Sequence, residues 1–412
     1  MSKPMGAIPV EFAADGPMLT VGGRTVDALI AEAGDTPLFV YDLGMVDRRI
    51  ARFRAAFPST QLHYAIKANS YGSLLAHVAK QVDGLDIASA GEMDLALAAG
   101  MPAADISFAG PGKRDSDLER AIAAGVTLNC ESEGEAARAL AIARRLGVRP
   151  RLAVRVNPDF EIKGSGMRMG GGAKPFGVDA ERVPALVRAI LAAGAEWRGF
   201  HIFAGSQALN PEALIEAQQA TLDLAGDLAD SIGATPSLVN LGGGFGIPYF
   251  GGETPLDVEA VGGALRNALE RRHPRLADTV FAIELGRWLV GEAGVYLTRI
   301  VDRKQSHGKT FLVTDGGMHH QLAASGNFGQ LVRRNYPVAI ASRMDEPATE
   351  EVSIVGCLCT PLDRLADDVM TPAADVGDIV AVFMAGAYGL SASPQAFLGQ
   401  QPALEMAVGA SG

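Results

Sequence analysis

The chain has 412 residues, of which 48% are hydrophobic and 20% charged, and its formal net charge is -11. This composition indicates a folded protein with a large core, and the length predicts a large domain joined to a second one. The negative charge argues against nucleic acid and anionic membranes as partners.

The first predicted elements are strand-like residues between Phe12 and Val26. We predict that residues 1–35 contribute strands to a β domain formed mainly by the end of the chain. The segment Thr36–Tyr41 is predicted to lead into the main domain, which places a domain boundary near residue 36.

Eight short apolar runs then alternate with Ala- and Leu-rich helical stretches up to residue 284. The predicted strands are Leu62–Ala68, Leu85–Ser89, Ile106–Ala109, Thr127–Cys130, Arg151–Val156, Arg198–Phe203, Leu238–Leu241 and Val280–Glu284. The predicted helices include Ser73–Lys80, Gly91–Ala99, Ser116–Ala124, Gly134–Leu146, Val183–Ala193 and Pro211–Ile232. Consecutive strand–helix units of this kind predict an α/β fold, a (β/α)8 TIM barrel over residues 36–284. A doubly wound open sheet is the alternative.

Residues 285–412 have a different character. Short β-branched runs such as Gly294–Val301, Thr310–Thr314, Val352–Val355 and Asp378–Val382 are separated by Gly, Pro and Asp. This pattern predicts an antiparallel β domain, a β-sandwich or small β-barrel, at the end of the chain.

A glycine-rich stretch, Lys163–Gly177, follows the fifth predicted strand and contains six glycines. One interpretation is a flexible connector. Because the stretch follows a strand end, the other interpretation is a mobile lid over an active site.

The ends of the predicted strands carry most of the polar and glycine-rich groups, and active sites of barrels of this kind lie at the C-terminal strand ends. In chain order these groups are Lys67, Asp86, Ser89, Gly110 to Lys113, Glu131, Ser132, Arg155, Asn157, His201, Gly205 to Gln207, Gly242 to Gly244, Glu284, Gly286 and Arg287. An amine, an imidazole, a carboxylate and two anion-binding elements therefore converge on one end of the barrel.

Lys67 ends the first apolar strand, where an amine is costly unless a partner or a covalent bond satisfies it. One established use is a Schiff base with pyridoxal phosphate; the alternative is a solvated lysine. Gly242–Gly246 fits either a phosphate-binding loop or a tight turn. His201 fits either a core histidine or a ring stacked on a cofactor. Glu284 fits either an ion pair with Arg287 or a partner for a pyridine nitrogen.

In these features the chain resembles the fold-type III pyridoxal-phosphate decarboxylases, the family of diaminopimelate and ornithine decarboxylases. The resemblance covers nearly the whole chain and implies an alanine racemase-like barrel with pyridoxal 5'-phosphate as cofactor. The matching segments are Thr36-Pro37 to Tyr41-Asp42, Tyr64 to Asn69, Gly199 to His201, Gly205 to Gln207, Gly242 to Gly246, Glu284 to Arg287, Cys359 to Asp363 and Gly386 to Gly389.

The resemblance implies Lys67 as the Schiff-base lysine, His201 stacked on the cofactor ring and Glu284 on the pyridine nitrogen. Further cofactor contacts are expected from Asp86, Arg155, Ser206, Gly243, Gly244, Gly286, Arg287 and Tyr388.

The resemblance also implies a homodimer in which the β domain of one subunit completes the site of the other. Cys359 aligns with the family residue that protonates the α-carbon after carbon dioxide leaves. Thr360, Asp363 and Arg287 are expected to bind substrate, and Cys359, Asp363 and Tyr388 are expected to act across the dimer interface.

The chain departs from the family where a distal substrate amine is bound. The residue after the family's cysteine is normally acidic, but here it is Thr360, followed by Pro361. The arginine and tyrosine that diaminopimelate decarboxylases carry beyond the Asp315–Leu322 segment are not evident, and Phe203 stands where a second histidine is expected.

These departures predict decarboxylation of a modified or carrier-linked amino acid. The Cys-Thr-Pro-Leu-Asp variant resembles members of the exosortase-associated subgroup. Ordinary meso-diaminopimelate decarboxylation, which gives L-lysine, is the alternative within the family.

Two other classes remain open. An amino-acid racemase would place an arginine on the ring nitrogen, and Glu284 speaks against it. A non-catalytic relative would tend to lose the lysine, whereas this chain keeps Lys67, His201 and Cys359.

The remaining sequence features point to the cytoplasm. No apolar run reaches the roughly 18 residues of a membrane span. Met1 to Gly16 lacks the basic start and apolar middle of a signal peptide. Cys130, Cys357 and Cys359 are too few and too oddly placed for a disulfide framework or a zinc site, so no metal is expected.

Overall fold

The computed structural model of the chain describes residues 2–12, 16–162, 164, 166–168, 170–328, 330 and 332–409. It divides the chain into two compact units. The barrel unit consists of Ile50–Ile247 and Pro255–Gly286, and the β unit consists of Met1–Arg49, Pro248–Thr254 and Arg287–Gly412.

The barrel unit contains eight parallel strands that close on themselves, because each strand pairs with the next along the chain and the eighth pairs with the first. This confirms the predicted (β/α)8 barrel and excludes the open sheet. The strands are Gln61–Ala65, Gly84–Ile87, Ile106–Phe108, Thr127–Cys130, Arg151–Asn157, Glu196–Ile202, Leu238–Gly243 and Val280–Leu285.

Helices alternate with the barrel strands and end close to the predicted residues. They are Leu43–Ala56, Gly72–Ala79, Ala90–Ala98, Asp115–Ala124, Glu133–Leu146, Val183–Ala192, Pro211–Ile232 and Val258–Glu270. Polar side chains fix several starts: Ser89 accepts from the Glu92 amide and Ser132 from the Glu135 amide. These caps satisfy amide groups that the first helical turn leaves unpaired.

The barrel unit also contains short elements around its strands. The strands Met167–Arg168 and Gly205–Ser206 form an antiparallel pair. Val178–Asp179 pairs in parallel with the end of the fifth barrel strand. Its 3-10 turns are Ile66–Ala68, Ala103–Asp105, Ala180–Arg182 and Pro274–Leu276. The predicted Lys163–Gly177 stretch lies partly outside the described residues.

The β unit is built around an eight-stranded sheet. Its strands are Leu38–Asp42, Gly294–Ser306, Lys309–Thr314, Val338–Ile340, Glu350–Val355, Arg364–Thr371, Ile379–Val382 and Leu404–Val408. The remaining elements of this unit are the helices Val26–Ala33 and Arg287–Val290 and the 3-10 turns Val10–Phe12, Leu390–Ala392 and Phe397–Gly399.

The N-terminal region differs from the sequence prediction in detail. The strand Leu38–Asp42, predicted to lead into the barrel, pairs instead with Gly294–Ser306 and Leu404–Val408 in the β unit. The earlier strands Thr20–Val21 and Arg24–Thr25 pair only with each other. Two intervening glycines with positive φ turn the chain back immediately, which leaves strands of two residues.

The helices were compared with the requirements of a membrane span. Within the described ranges, none combines the length and the apolar character that crossing a bilayer requires.

Candidate active site

A cavity of about 310 Å³ opens at the C-terminal ends of the barrel strands. Five residues predicted from separate strand ends line it together: Lys67, Asp86, Arg155, His201 and Glu284. Aromatic side chains complete part of the wall, namely Phe108, Phe176 and Phe203. The barrel therefore brings an amine, two carboxylates, a guanidinium and an imidazole to one apolar-walled cavity.

Two lysines line this cavity, and their surroundings differ. Lys113 is buried and donates to the Gly110 and Asn129 carbonyls and to Glu135, so all three of its protons are used within the protein. Lys67 lies in the turn after the first strand, and its side chain is 47% exposed. Of the two described lysines that line the cavity, Lys67 is therefore the one whose amine is exposed toward it.

Lys67 faces a buried acid at the end of the eighth strand. Its Nζ lies 3.7 Å from Glu284 Oε1, and His201 Nε2 lies 3.0 Å from Glu284 Oε2. Burial opposes the charge of Glu284, but Lys67 and His201 outweigh it and lower the pKa of this carboxyl to about 2. Glu284 is therefore ionised at neutral pH despite its burial.

His201 keeps one nitrogen available. Its side chain is 4% exposed, and its Nδ1 has no hydrogen-bond partner among the described residues. A buried polar atom without a partner is costly and indicates a place where a bound molecule or water completes the site.

Arg155 is held by an acid that sequence reasoning noted only as a strand-end residue. Its Nη1 donates to Glu131 Oε1 at 2.8 Å, and its guanidinium lies 5.0 Å from the Phe176 ring centroid. Glu131 also accepts from the amides of Gly110 and Gly177. Burial opposes the charge of Glu131, but Arg155 outweighs it and lowers the pKa. Glu131 thus accepts hydrogen bonds from three separate segments around the cavity, at Gly110, Arg155 and Gly177.

The glycine loop after the seventh strand packs too closely for any side chain. A Cβ on Gly243 would lie 1.7 Å from the Glu284 carbonyl oxygen, and one on Gly244 would lie 2.3 Å from that of Gly205. Gln207 fastens this loop by donating to the Ile247 carbonyl at 2.7 Å. Bare backbone of this kind allows amide groups to approach an anion. Ser206 lies beside Gln207, and Gly286 follows the eighth strand, where a Cβ would lie 2.8 Å from that of Ala68.

In the β unit, Arg287 is surrounded by tyrosines. Its Nη1 donates to the Tyr249 hydroxyl at 2.9 Å, and its guanidinium lies 4.7 Å from the Tyr388 ring centroid. The buried Nε of Arg287 has no partner among the described residues. Tyr388 adopts a positive φ of 53°, a conformation that non-glycine residues seldom adopt without a reason. Tyr249 is a contact that the sequence did not suggest.

Cys359 and Thr360 belong to a tight loop whose shape depends on Asp363. The Asp363 carboxylate is buried and accepts from the amides of Met318 at 2.6 Å and Leu358 at 2.8 Å. Cys359 is exposed. Each Asp363 oxygen therefore accepts from one backbone amide, and this carboxylate shapes the loop that carries Cys359. Substrate binding by Asp363 stays a prediction.

Comparison with known proteins identifies the family. A family model described as "Pyridoxal-dependent decarboxylase, pyridoxal binding domain" matches residues 43–291. A relative from Niallia circulans, named L-glutamyl-[BtrI acyl-carrier protein] decarboxylase, is 37% identical over 379 residues, with 90% of this chain and 88% of that protein covered. The diaminopimelate decarboxylase of Archaeoglobus fulgidus is 32% identical, and the alignment covers 93% of this chain and 90% of that protein.

Solved structures agree with these relatives. Diaminopimelate decarboxylase from Helicobacter pylori, complexed with L-lysine, superposes with a TM-score of 0.82 at 28% identity, with 93% of this chain and 94% of that chain covered. The match extends over both units of the chain. This chain is accordingly a member of the pyridoxal-dependent decarboxylases, with the two-unit architecture of the diaminopimelate decarboxylases.

Proposed function

We propose that this protein decarboxylates an amino acid whose distal end is covalently modified, for example by linkage to a carrier protein. The loop at residues 357–363 carries the proposal. It offers a neutral hydroxyl at Thr360, and its carboxylate at Asp363 is buried against two backbone amides. A free distal ammonium would find no carboxylate there, at a cost of roughly 3–5 kcal/mol for an unpaired buried charge. The 37% identical relative is named for a substrate in which a glutamyl group is linked to an acyl-carrier protein.

The residues at the barrel mouth fit pyridoxal phosphate. Lys67 would hold its aldehyde and Glu284 would keep its ring nitrogen protonated. His201 contacts that acid through Nε2 and leaves Nδ1 unpartnered among the described residues. The bare backbone at Gly243 and Gly244 suits its phosphate, and we assign Ser206, Gly286, Arg287 and Tyr388 to the same group. When bound, the cofactor accepts the electron pair released as carbon dioxide leaves.

The protein's own groups then complete the reaction. Asp86 and Arg155 line the cavity and would orient the reacting amino acid or cofactor. We assign the proton that replaces the lost carboxylate to the Cys359 thiol, presented by the β unit of a second subunit in a homodimer. Phe108, Phe176 and Phe203 supply the aromatic part of the wall around the reacting group.

A comparative turnover assay tests this function. Carbon dioxide release is measured with meso-diaminopimelate, lysine, ornithine and arginine, and with glutamate carrying a pantetheine thioester on its distal carboxyl. We expect turnover of the thioester and slow or no turnover of the four amino acids, whose distal groups are free cations.

Brisk lysine formation from meso-diaminopimelate would instead establish the second candidate, an ordinary diaminopimelate decarboxylase. This candidate is favoured by the names of several relatives, including the Archaeoglobus fulgidus protein. Loss of optical rotation without carbon dioxide would indicate a racemase and contradict both.

Restoring an acid after Cys359 should shift substrate preference. In a Thr360→Glu variant, the new carboxylate can pair with a distal ammonium, so kcat/KM for meso-diaminopimelate should rise by roughly 10-fold or more, as expected for a charged hydrogen bond. Thr360→Gln has nearly the same shape without the charge and serves as the control. Equal gains in both variants, or none in either, would show that charge at this position does not select the substrate.

Glu284 should matter through its charge. In Glu284→Gln the ring nitrogen loses its anionic partner, so kcat should fall by roughly 10²–10³-fold, as for other lost electrostatic contacts. Glu284→Asp keeps the charge and should retain more activity. Cofactor absorbance measured on each variant separates weak binding from slow chemistry, and a fully active Gln variant would remove Glu284 from the mechanism.

A further inference from the structure

Decarboxylation consumes a proton at every turnover, and this inference rests on the proposed function. The substrate R–CH(NH3+)–COO− takes up one H+ to give R–CH2–NH3+ and carbon dioxide. The proton that reaches the α-carbon must be replaced from solvent. A bulky carrier on the distal end of the substrate would cover the mouth of the barrel. A proton would then have to reach the active site from the other end of the barrel.

A second cavity, of about 120 Å³, opens at the opposite, N-terminal ends of the barrel strands. Barrel interiors are normally filled with branched apolar side chains. This one is lined by many polar groups: Gln61, His63, Asp83, Asp105, Ser107, Thr127, Asn129, Arg198, Ser237 and Asn240. Asp105 and Ser237 are exposed, so the cavity reaches solvent.

His63 separates this cavity from the active site. Its side chain is 7% exposed and lines the N-terminal cavity, whereas Asp86 lines the active-site cavity. The two are in contact, with His63 Nδ1 3.2 Å from Asp86 Oδ2, although neither atom makes an aligned hydrogen bond among the described residues. On the other side of the ring, Nε2 lies 3.4 Å from Gln61 Oε1. A Cβ on Gly84 would lie 2.9 Å from that same Nε2, so a glycine leaves room for the imidazole.

We propose that His63 is a positioning residue that passes protons from the N-terminal cavity to Asp86, and so resupplies the active site through the barrel interior. An imidazole suits this task because it can accept a proton on one nitrogen and release one from the other. The His63–Asp86 pair bridges the two cavities within one unit of the protein. The transfer balances the proton taken up in each turnover and requires no further reactant.

The charges around His63 favour its protonated form. Burial lowers the pKa of His63, but the nearby carboxylates outweigh burial and raise it above the ordinary value. These carboxylates are Asp86, Glu284 and Asp83. Asp105 and Arg198 are the other charged groups that line the N-terminal cavity. Since the pKa is raised, the proton-carrying ring is present at lower pH and is lost as pH rises through that value.

A His63→Gln variant tests the relay with whichever amino acid the wild type decarboxylates. Glutamine keeps hydrogen-bonding groups and a similar length but cannot carry a proton at neutral pH. We expect kcat to fall by about 100-fold, at the low end for a lost proton-transfer group, and the solvent deuterium isotope effect on kcat to rise. The decline of kcat caused by deprotonation of His63 at higher pH should disappear.

Two further variants separate the relay from a merely structural role. Ser237→Ala removes a hydroxyl at the solvent end of the N-terminal cavity that bonds to the Arg198 carbonyl, and its kcat should stay at the wild-type level. His63→Ala leaves a space that added imidazole can occupy, and imidazole should restore part of its kcat. Wild-type kcat and pH profile in His63→Gln would overturn the proposal, as would a His63→Ala variant that is slow and unresponsive to imidazole.

A measurement without turnover keeps this inference distinct from the proposed function. Nitrogen-15 NMR of the full-length, histidine-labelled protein follows protonation of the His63 ring directly. In Asp86→Asn, His63 should lose its proton at lower pH than in the wild type. An unchanged titration would overturn the His63–Asp86 relay. Absence of decarboxylation with every substrate, alongside the expected titration, would count against the proposed function alone.

Discussion

Replacing Lys67 with alanine is expected to abolish decarboxylation, lowering kcat by roughly 10⁴-fold or more because the cofactor's part of the rate enhancement is lost. Lys67 is the lysine of the cavity whose amine is exposed toward it, 3.7 Å from the ionised Glu284. Its removal leaves Lys113, whose amine is already bonded to the Gly110 and Asn129 carbonyls and to Glu135. Carbon dioxide release and visible absorbance of the purified variant measure both losses.

The matched control is Lys80→Ala, which removes an exposed lysine after the next helix and should leave activity and absorbance unchanged. Borohydride reduction of the wild-type holoprotein, followed by peptide mass mapping, should place the cofactor on Lys67. Attachment at another lysine, or retention of full absorbance by Lys67→Ala, would contradict the assignment. Lys113 is the informative alternative, because it also lines the cavity.

The barrel could be predicted because its signals are local. Each strand is a short apolar run next to a helical stretch, and caps such as Ser89 and Ser132 mark where helices begin. The strand Leu38–Asp42 was misplaced for the opposite reason. Its partner Gly294–Ser306 lies some 250 residues further along the chain, and an apolar strand looks the same whether it pairs with a near or a distant neighbour.

The part of the candidate site that could be predicted consists of polar residues at the ends of apolar strands. Polar residues that follow apolar strands, such as Lys67 and Glu284, stand out against their neighbours. His63 does not, because it lies within a strand and resembles a core histidine until its contact with Asp86 is seen. The loop-shaping contacts of Asp363 also needed the structure, since one of its two amide donors, Met318, lies 45 residues away in the chain.

A Cys359→Ala variant should lower kcat by roughly 10²–10⁴-fold, the usual range for a lost general acid. The thiol is exposed on a loop held in shape by Asp363, so its removal should not disturb the fold. Cofactor absorbance and KM should therefore stay close to the wild-type values. Initial rates of carbon dioxide release and of amine formation are measured together. A lower rate of both detects the defect, and less amine than carbon dioxide would show that the α-carbon is not correctly protonated.

Cys357→Ala provides the matched control, because it removes a half-buried thiol two residues away and should leave kcat unchanged. Cys359→Ser keeps a hydroxyl that is a much weaker acid than a thiol, and its kcat should fall between those of the wild type and Cys359→Ala. An unchanged rate in Cys359→Ala with normal cofactor binding would remove this residue from the mechanism. In that case Asp86 becomes the next donor to test, because it lines the active-site cavity and contacts His63.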